Sequence, residues 1–164
     1  MIIAAFTGAG KTTLSKLYPQ TVIDFTCMSY KYYLDEDKEP TETCKADPNL
    51  DFRFGWEKDY VQAIKQHMSD YRILLIPSDR LVLLLLEKEG IMYTLCYPKR
   101  EAKEEYHKRF IERGNSNHFI DIFIGRWDYF MDTLESDSYG KHIVLDSDQF
   151  LSDVIDVEKL TSNL

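Results

Sequence analysis

Several things are scarce in this chain, and each scarcity removes a class of answer. The apolar run between Arg80 and Glu87 is six residues long, against the about 20 that a membrane-spanning helix needs. No apolar stretch with a basic flank opens the sequence, so no signal peptide is expected. Cysteine occurs three times, at Cys27, Cys44 and Cys96. The number is odd and no Cys-x-x-Cys spacing occurs. That argues against a disulfide frame or a zinc site and reads as reduced thiols in a cytoplasmic protein. Positive charge is in deficit, with 20 Lys and Arg against 28 Asp and Glu and a formal charge of −8. Such a balance disfavours non-specific contact with nucleic acid, and with it a kinase acting on polynucleotide ends. Local basic clusters can still hold a small anion. Internal repeats and low-complexity tracts are also missing.

What is present is a globular composition. Apolar residues make up 44% of 164 residues, enough for one domain, 1–164, with a core of its own. The informative stretch is Ala5-Phe6-Thr7-Gly8-Ala9-Gly10-Lys11-Thr12-Thr13. It follows a short apolar run, Met1 to Ala5, that reads as a buried strand, and it precedes a helix-forming run, Thr13 to Leu17. Strand, glycine-bearing turn, Gly-Lys-Thr and helix, in that order, are what a phosphate-binding loop requires. Gly8 and Gly10 let backbone amides curl around an anion. The start of the following helix adds its positive end. Lys11 supplies a point charge for the outer phosphates, and Thr12 a hydroxyl for magnesium. Ala9 and Thr13 complete the cradle. Ala5 stands where such loops usually open with glycine; at a strand end a negative φ suffices, so its methyl group is expected to be tolerated.

Thr21 to Phe25 reads as a second strand. Asp24 lies at its carboxyl end, where parallel α/β sheets bind ligands. It is either a ligand to a magnesium-bound water or substrate hydroxyl, or a turn residue. Thr26 to Phe54 is polar and irregular, with Tyr30, Tyr32, Tyr33, Phe52 and Phe54 as rings that either flank a flat substrate or anchor the segment. Ser29 either caps a short helix there or touches substrate. Trp56, Tyr60, Ile64, Met68 and Tyr71 repeat at helical spacing, and His67 beside them reads as a structural or surface histidine. Ile73 to Pro77 suits a central parallel strand. Asp79, just beyond it, either approaches magnesium or caps the helix from Arg80 to Glu89.

A further strand is expected over Ile91 to Tyr97. From Lys99 to Arg113 one helix carries Lys99, Arg100, Lys103, Lys108, Arg109 and Arg113. Arg109 and Arg113 are four apart and share a face, so they either grip an anion between them or leave Arg109 to pair with Glu105. Gly114 then ends the helix. Phe119 to Leu134 mark a second helix with Gly125 inside it, where either close packing or a bend is expected. Arg126 beside it is a weaker candidate for the cleft. His142 to Asp146 reads as the last strand, with Asp148 capping a final helix from Gln149 to Leu160.

Three stretches together resemble a known family: Phe6 to Thr13, Val22-Ile23-Asp24, and Tyr106 to Asn115. The chain resembles small P-loop kinases of the nucleoside monophosphate kinase type, and more closely the uncharacterised phage-encoded and bacterial P-loop proteins of that superfamily. The resemblance implies a three-layer α/β/α P-loop NTPase fold. Its five-stranded parallel sheet would have the order 2-3-1-4-5, with a helical lid at 99–116 and an acceptor-binding segment at 26–55. It implies an ATP-dependent phosphotransferase acting on a nucleotide, nucleoside or similar small acceptor, with ATP on Gly8 to Thr13, magnesium at Thr12 and Asp79, and Lys11, Asp24, Arg109 and Arg113 as catalytic residues. The alternative is a nucleotide-binding regulatory or phage accessory protein with little turnover. The run Pro77-Ser78-Asp79-Arg80 departs from the Asp-Gly-aromatic-Pro run of adenylate kinases, so the acceptor need not be a nucleoside monophosphate. Where the acceptor carries a phosphate, only Lys31, Lys38, Lys45 and Arg53 follow Asp24 to hold it.

Overall fold

A computed structural model describes residues 1–33 and 51–162 of the chain. Lys38, Lys45 and Cys44 lie outside the described residues.

Five parallel strands form one sheet: β1 (Ile2–Ala5), β2 (Val22–Asp24), β3 (Ile73–Pro77), β4 (Thr94–Pro98) and β5 (Lys141–Leu145). Their spatial order is β2-β3-β1-β4-β5, as expected. Residues alternate between the two faces of a strand, and here both faces are covered. Ile2, Ala4 and Phe6 enter one core together with Leu74, Ile76, Leu95 and Tyr97. Ile3 and Ala5 enter the other with Ile73, Leu75 and Cys96. This is why β1 and β3 read as continuous apolar runs rather than alternating ones.

On the first face lie α2 (Met28–Lys31), α3 (Trp56–His67), α4 (Arg80–Lys88), α5 (Lys103–Glu112), α6 (Asn117–Phe123) and α7 (Trp127–Glu135). Against the second pack α1 (Lys11–Leu17), α8 (Leu151–Val154) and α9 (Val157–Ser162). Burying Trp56, Tyr60 and Ile64 along α3, and Tyr106 and Phe110 along α5, realises the stripes expected from their spacing. Phe6 anchors the first core, with Tyr106, Phe123, Trp127 and Phe130 all at ring-centroid distances between 5.7 and 6.1 Å. Among the described residues, no helix is long and apolar enough to cross a membrane.

Five local expectations are corrected. The fourth strand begins at Thr94 rather than Ile91, because Gly90 and Ile91 close α4. Gly90 N donates to Glu87 O and Ile91 N to Leu86 O, with Gly90 at φ 70°, a Schellman ending. Lys99 and Arg100 are not on the helix of Arg109. Lys99 N continues the β4 ladder onto Leu145 O, and Arg100 sits in a 3-10 turn, Arg100–Ala102, where its guanidinium meets Asp128, Asp132 and Glu135. The helix expected across Phe119 to Leu134 is two helices broken at Gly125. A Cβ there would lie 2.3 Å from Asp121 O. The helix expected over Gln149–Leu160 is likewise two, α8 and α9. Asp148 does not cap it: α8 begins after Phe150, whose amide donates to Asp153 Oδ2 at 2.7 Å from inside the helix.

Candidate nucleotide-binding site

The loop from Phe6 to Gly10 leaves the carboxyl end of β1, the middle strand of the sheet. Phe6 N still donates to Cys96 O of β4 (2.9 Å), after which the chain turns. Gly8 at φ 81° and Gly10 at φ 95° make the turn, in a region that L side chains rarely occupy. Close packing adds a second constraint. A Cβ on Gly8 would come 2.8 Å from Phe110 Cε1, and one on Gly10 3.3 Å from the Phe150 side chain. Ala9 N donates to Phe6 O (3.2 Å), and Ala9 O accepts from Leu151 N (2.9 Å), so α8 braces the loop from behind. Ala5 keeps a negative φ, as its place at the strand end predicts.

Lys11 opens α1 and is 6% exposed. Its Nζ donates to Ala5 O at 3.1 Å and Phe6 O at 3.4 Å, curling the side chain back along the loop. Thr12 Oγ1 donates to Asp24 Oδ2 at 2.6 Å. The last residue of β2 is thereby brought to the first turn of α1, and Ser15 Oγ secures it by accepting from Asp24 N (3.3 Å). The first amides of a helix have no partners within it and point outward. Here they stand beside an ammonium and a hydroxyl–carboxylate pair.

Two cavities flank this loop. The first, about 160 Å³, is lined by Gly8, Gly10, Lys11, Thr12, Thr13, Arg113 and Phe150. The second, about 230 Å³, lies over the carboxyl ends of β1 and β3, between α2 and the α6–α7 pair. Its walls include Ala5, Thr7, Cys27, Tyr32, Ser78, Phe123 and Phe130, with Lys31 and Asp79 at one side.

The fold resembles that of a sugar kinase. The structure in question, from Janibacter sp., superposes with a TM-score of 0.50 at 15% identity, covering 99% of this chain and 89% of that one. An uncharacterised protein from Eubacterium ventriosum aligns at 13% identity and a TM-score of 0.48, covering 99% of this chain and 95% of its own. No protein-family model matches the sequence, and no curated protein does. At 15% identity the likeness to the sugar kinase concerns the fold alone.

Of the residues expected at the site, Gly8 to Thr13, Asp24 and Arg113 are together at or beside the first cavity. Asp79 lies on the second. Its Oδ1 accepts from Leu81 N (3.0 Å) as the cap of α4, and its Oδ2 meets Lys31 Nζ (3.0 Å). Thr12 is therefore joined by Asp24, and Asp79 is engaged elsewhere. Arg109 and Arg113 do not share the cavity. Arg109 is 7% exposed; its guanidinium donates to Ser147 O (2.5 Å) and Gln149 O (3.4 Å). It also lies between the rings of Tyr106 (4.6 Å) and Phe150 (4.0 Å), with Glu105 3.9 Å from its Nε. Arg126 stacks on Tyr129 and Phe130. Among the described rings of the 26–55 segment, Tyr32 faces the second cavity and Phe54 is 99% exposed. Ser29 lies within α2, and its carbonyl accepts from Arg53. His67 packs edge-on against Phe25 (4.7 Å), a structural position.

Phe123, Phe130 and Phe150 border the cavities without having been marked by the sequence reading. The first two fall on helical stripes that read as core. Phe150 follows the polar run Asp146 to Gln149 and directly precedes Leu151, so nothing in its spacing set it apart from a core residue.

Burial sets the charge states around the loop. The Cys96 thiol, buried beneath it, is pushed up to about 12 by desolvation, with Lys11 acting in the opposite direction. It stays a neutral thiol at neutral pH. Desolvation also raises Tyr60 far above the ordinary phenol value, leaving its hydroxyl to donate to Phe25 O just beyond Asp24.

Proposed function

We propose that the protein is an ATP-dependent phosphotransferase whose donor phosphates lie on Gly8 to Thr13 and whose small acceptor enters the cavity over β1 and β3. One observation carries this reading. A glycine-turned loop holds Lys11 on its own carbonyls and Thr12 on Asp24 at the sheet's carboxyl edge, with a cavity on either side. A phosphoryl group crossing between two substrates needs a compartment for each and positive charge beside the donor phosphates.

In this reading Lys11 swings its ammonium from the carbonyls of Ala5 and Phe6 onto the outer phosphates. The amides opening α1 orient the polyphosphate. Arg113, lining the same cavity, neutralises charge as it spreads over the transferring oxygens. Arg109 acts one layer out, fixing the 147–150 segment. The 99–116 segment shields the phosphates from water, which would otherwise hydrolyse ATP. Thr12 Oγ1 and Asp24 are hard oxygen donors suited to magnesium, which would supply charge neutralisation on the β- and γ-phosphate oxygens. In the same reading Asp24 is the group that orients an acceptor hydroxyl.

The acceptor side is mainly apolar and aromatic, with Ser78, Lys31 and Asp79 as polar contacts. It favours a hydroxylated small molecule: a nucleoside, a nucleotide or, by analogy with the fold neighbour, a sugar. The test is ADP release from ATP and magnesium in the presence of panels of each class. Acceptor-dependent release with a phosphorylated product is the expected result. Tight ATP binding without transfer to any acceptor would instead mark a nucleotide-binding module and sink the phosphotransferase reading.

A further inference from the structure

Phe150 takes no part in the scheme above, yet its surroundings are unusually well organised. The ring borders the loop cavity beside Gly10 and Arg113 and remains 39% exposed. Its inner face lies on the guanidinium of Arg109, which in turn rests on Tyr106. The backbone around it is pinned at five points. Leu151 N donates to Ala9 O (2.9 Å) of the loop itself. Arg109 holds Ser147 O and Gln149 O. Asp146 N donates to Gln149 Oε1 (2.8 Å) and Phe150 N to Asp153 Oδ2 (2.7 Å). A partly exposed phenyl ring gains little from being held so firmly unless its open side meets something flat.

We propose that the open side of Phe150 carries the base of the bound nucleoside triphosphate, and that the base is recognised there as a flat ring rather than through its edge. The proposal rests on the loop binding a triphosphate. Stacking on an aromatic ring is tolerant of base identity, because every base has a π-face. The cation beneath the ring draws density from it and favours an electron-rich purine above. The carbonyls of Ser147 and Gln149 lie in the segment that leads to the ring, where an edge-reading pocket could turn them to an exocyclic amine. Both accept from Arg109 instead. Adenine and guanine therefore meet the same surface.

Calorimetric titration of the full chain with ATP, GTP and inorganic tripolyphosphate, each with magnesium, tests this. Wild type should bind ATP and GTP within about threefold of each other, and both about tenfold more tightly than tripolyphosphate, the scale of one base stack. Phe150→Ala should lose about that tenfold for both nucleotides and leave tripolyphosphate within twofold. Phe150→Trp should restore nucleotide binding. Thermal melts of both variants report whether the fold is retained. Equal loss of tripolyphosphate in Phe150→Ala would make the ring a mere prop for the loop and overturn the proposal. So would unchanged ATP binding, or a wild-type preference beyond about thirtyfold for one purine. Wild type that binds tripolyphosphate as tightly as ATP overturns the stack alone. Wild type that binds neither overturns the phosphate-loop reading and this inference with it.

Discussion

Gly10 stands at φ 95° with the Phe150 side chain 3.3 Å from where a Cβ would sit. Both facts oppose any larger residue, and they act on different things. The backbone angle costs an alanine about 1–2 kcal/mol in the folded chain. The contact displaces Phe150 and loosens the brace from Leu151 to Ala9. Gly10→Ala is therefore expected to lower the melting temperature by about 3–6 °C and to weaken ATP binding more than that loss of stability explains. Paired melting and titration curves check this; an unstrained, fully binding variant would mean that the turn adopts another shape. At this scale the loop glycines, Lys11 and Thr12 were legible from the sequence, because their chemistry is local. The burial of Arg109 was not. Its partners Ser147 and Gln149 are 38 and 40 residues away, and no spacing within its own helix announces them.

The β4–β5 connection illustrates the scale of elements. After α7 the chain turns at Asp137, which accepts from Tyr93 Oη (2.7 Å), Gly140 N (2.8 Å) and Tyr139 N (3.2 Å). His142 Nε2 lies 3.8 Å away, and its Nδ1 meets Tyr97 Oη at 2.9 Å. Burial pushes the Asp137 carboxyl up, but the bonds from Tyr93 and the two amides, with His142, outweigh it and hold the value below 3.8. A carboxyl lowered on folding contributes stability above its unfolded value, and that contribution disappears as the pH falls through the folded one. Asp137→Asn should thus melt below wild type at neutral pH, with the gap narrowing once the pH drops below about 3.8. A gap constant from pH 7 to 3 would assign the residue a purely steric part. Element boundaries were the least legible level. Gly125 was read as a packing or bending point; the 2.3 Å between a Cβ built there and Asp121 O shows why no side chain fits at the break between α6 and α7. Asp148 has the right chemistry for a cap, but Asp153 reaches the amide first.

For the molecule as a whole, the strands were legible because each of β1, β2, β3 and β5 is an apolar run ending in a turn, but those runs do not give their order in the sheet. The likeness of P-loop, strand-end aspartate and arginine-bearing helix to one superfamily supplied the rest. The second cavity was not legible, since it joins α6 and α7 to β1 and β3 across the fold. Ligand and fold should be coupled at this scale. ATP with magnesium at about a hundred times its dissociation constant should add ~2.7 kcal/mol, raising the melting temperature by about 5–10 °C. Lys11→Ala should abolish most of that rise and also lower the unliganded melt through the lost bonds to Ala5 O and Phe6 O, and differential scanning calorimetry with and without ATP separates the two. An undiminished rise in the variant would remove Lys11 from the phosphates.

β1 has a hydrogen-bonded neighbour on each side and helices above and below. Such a strand surrenders its amide protons to solvent only when everything else has come apart. The loop is rooted in that strand, so the floor beneath an anion stays fixed for as long as the chain is folded. If the loop holds a polyphosphate as proposed, its capture and release fall to the Arg113 end of α5, because the Phe150 segment is tied to the loop itself.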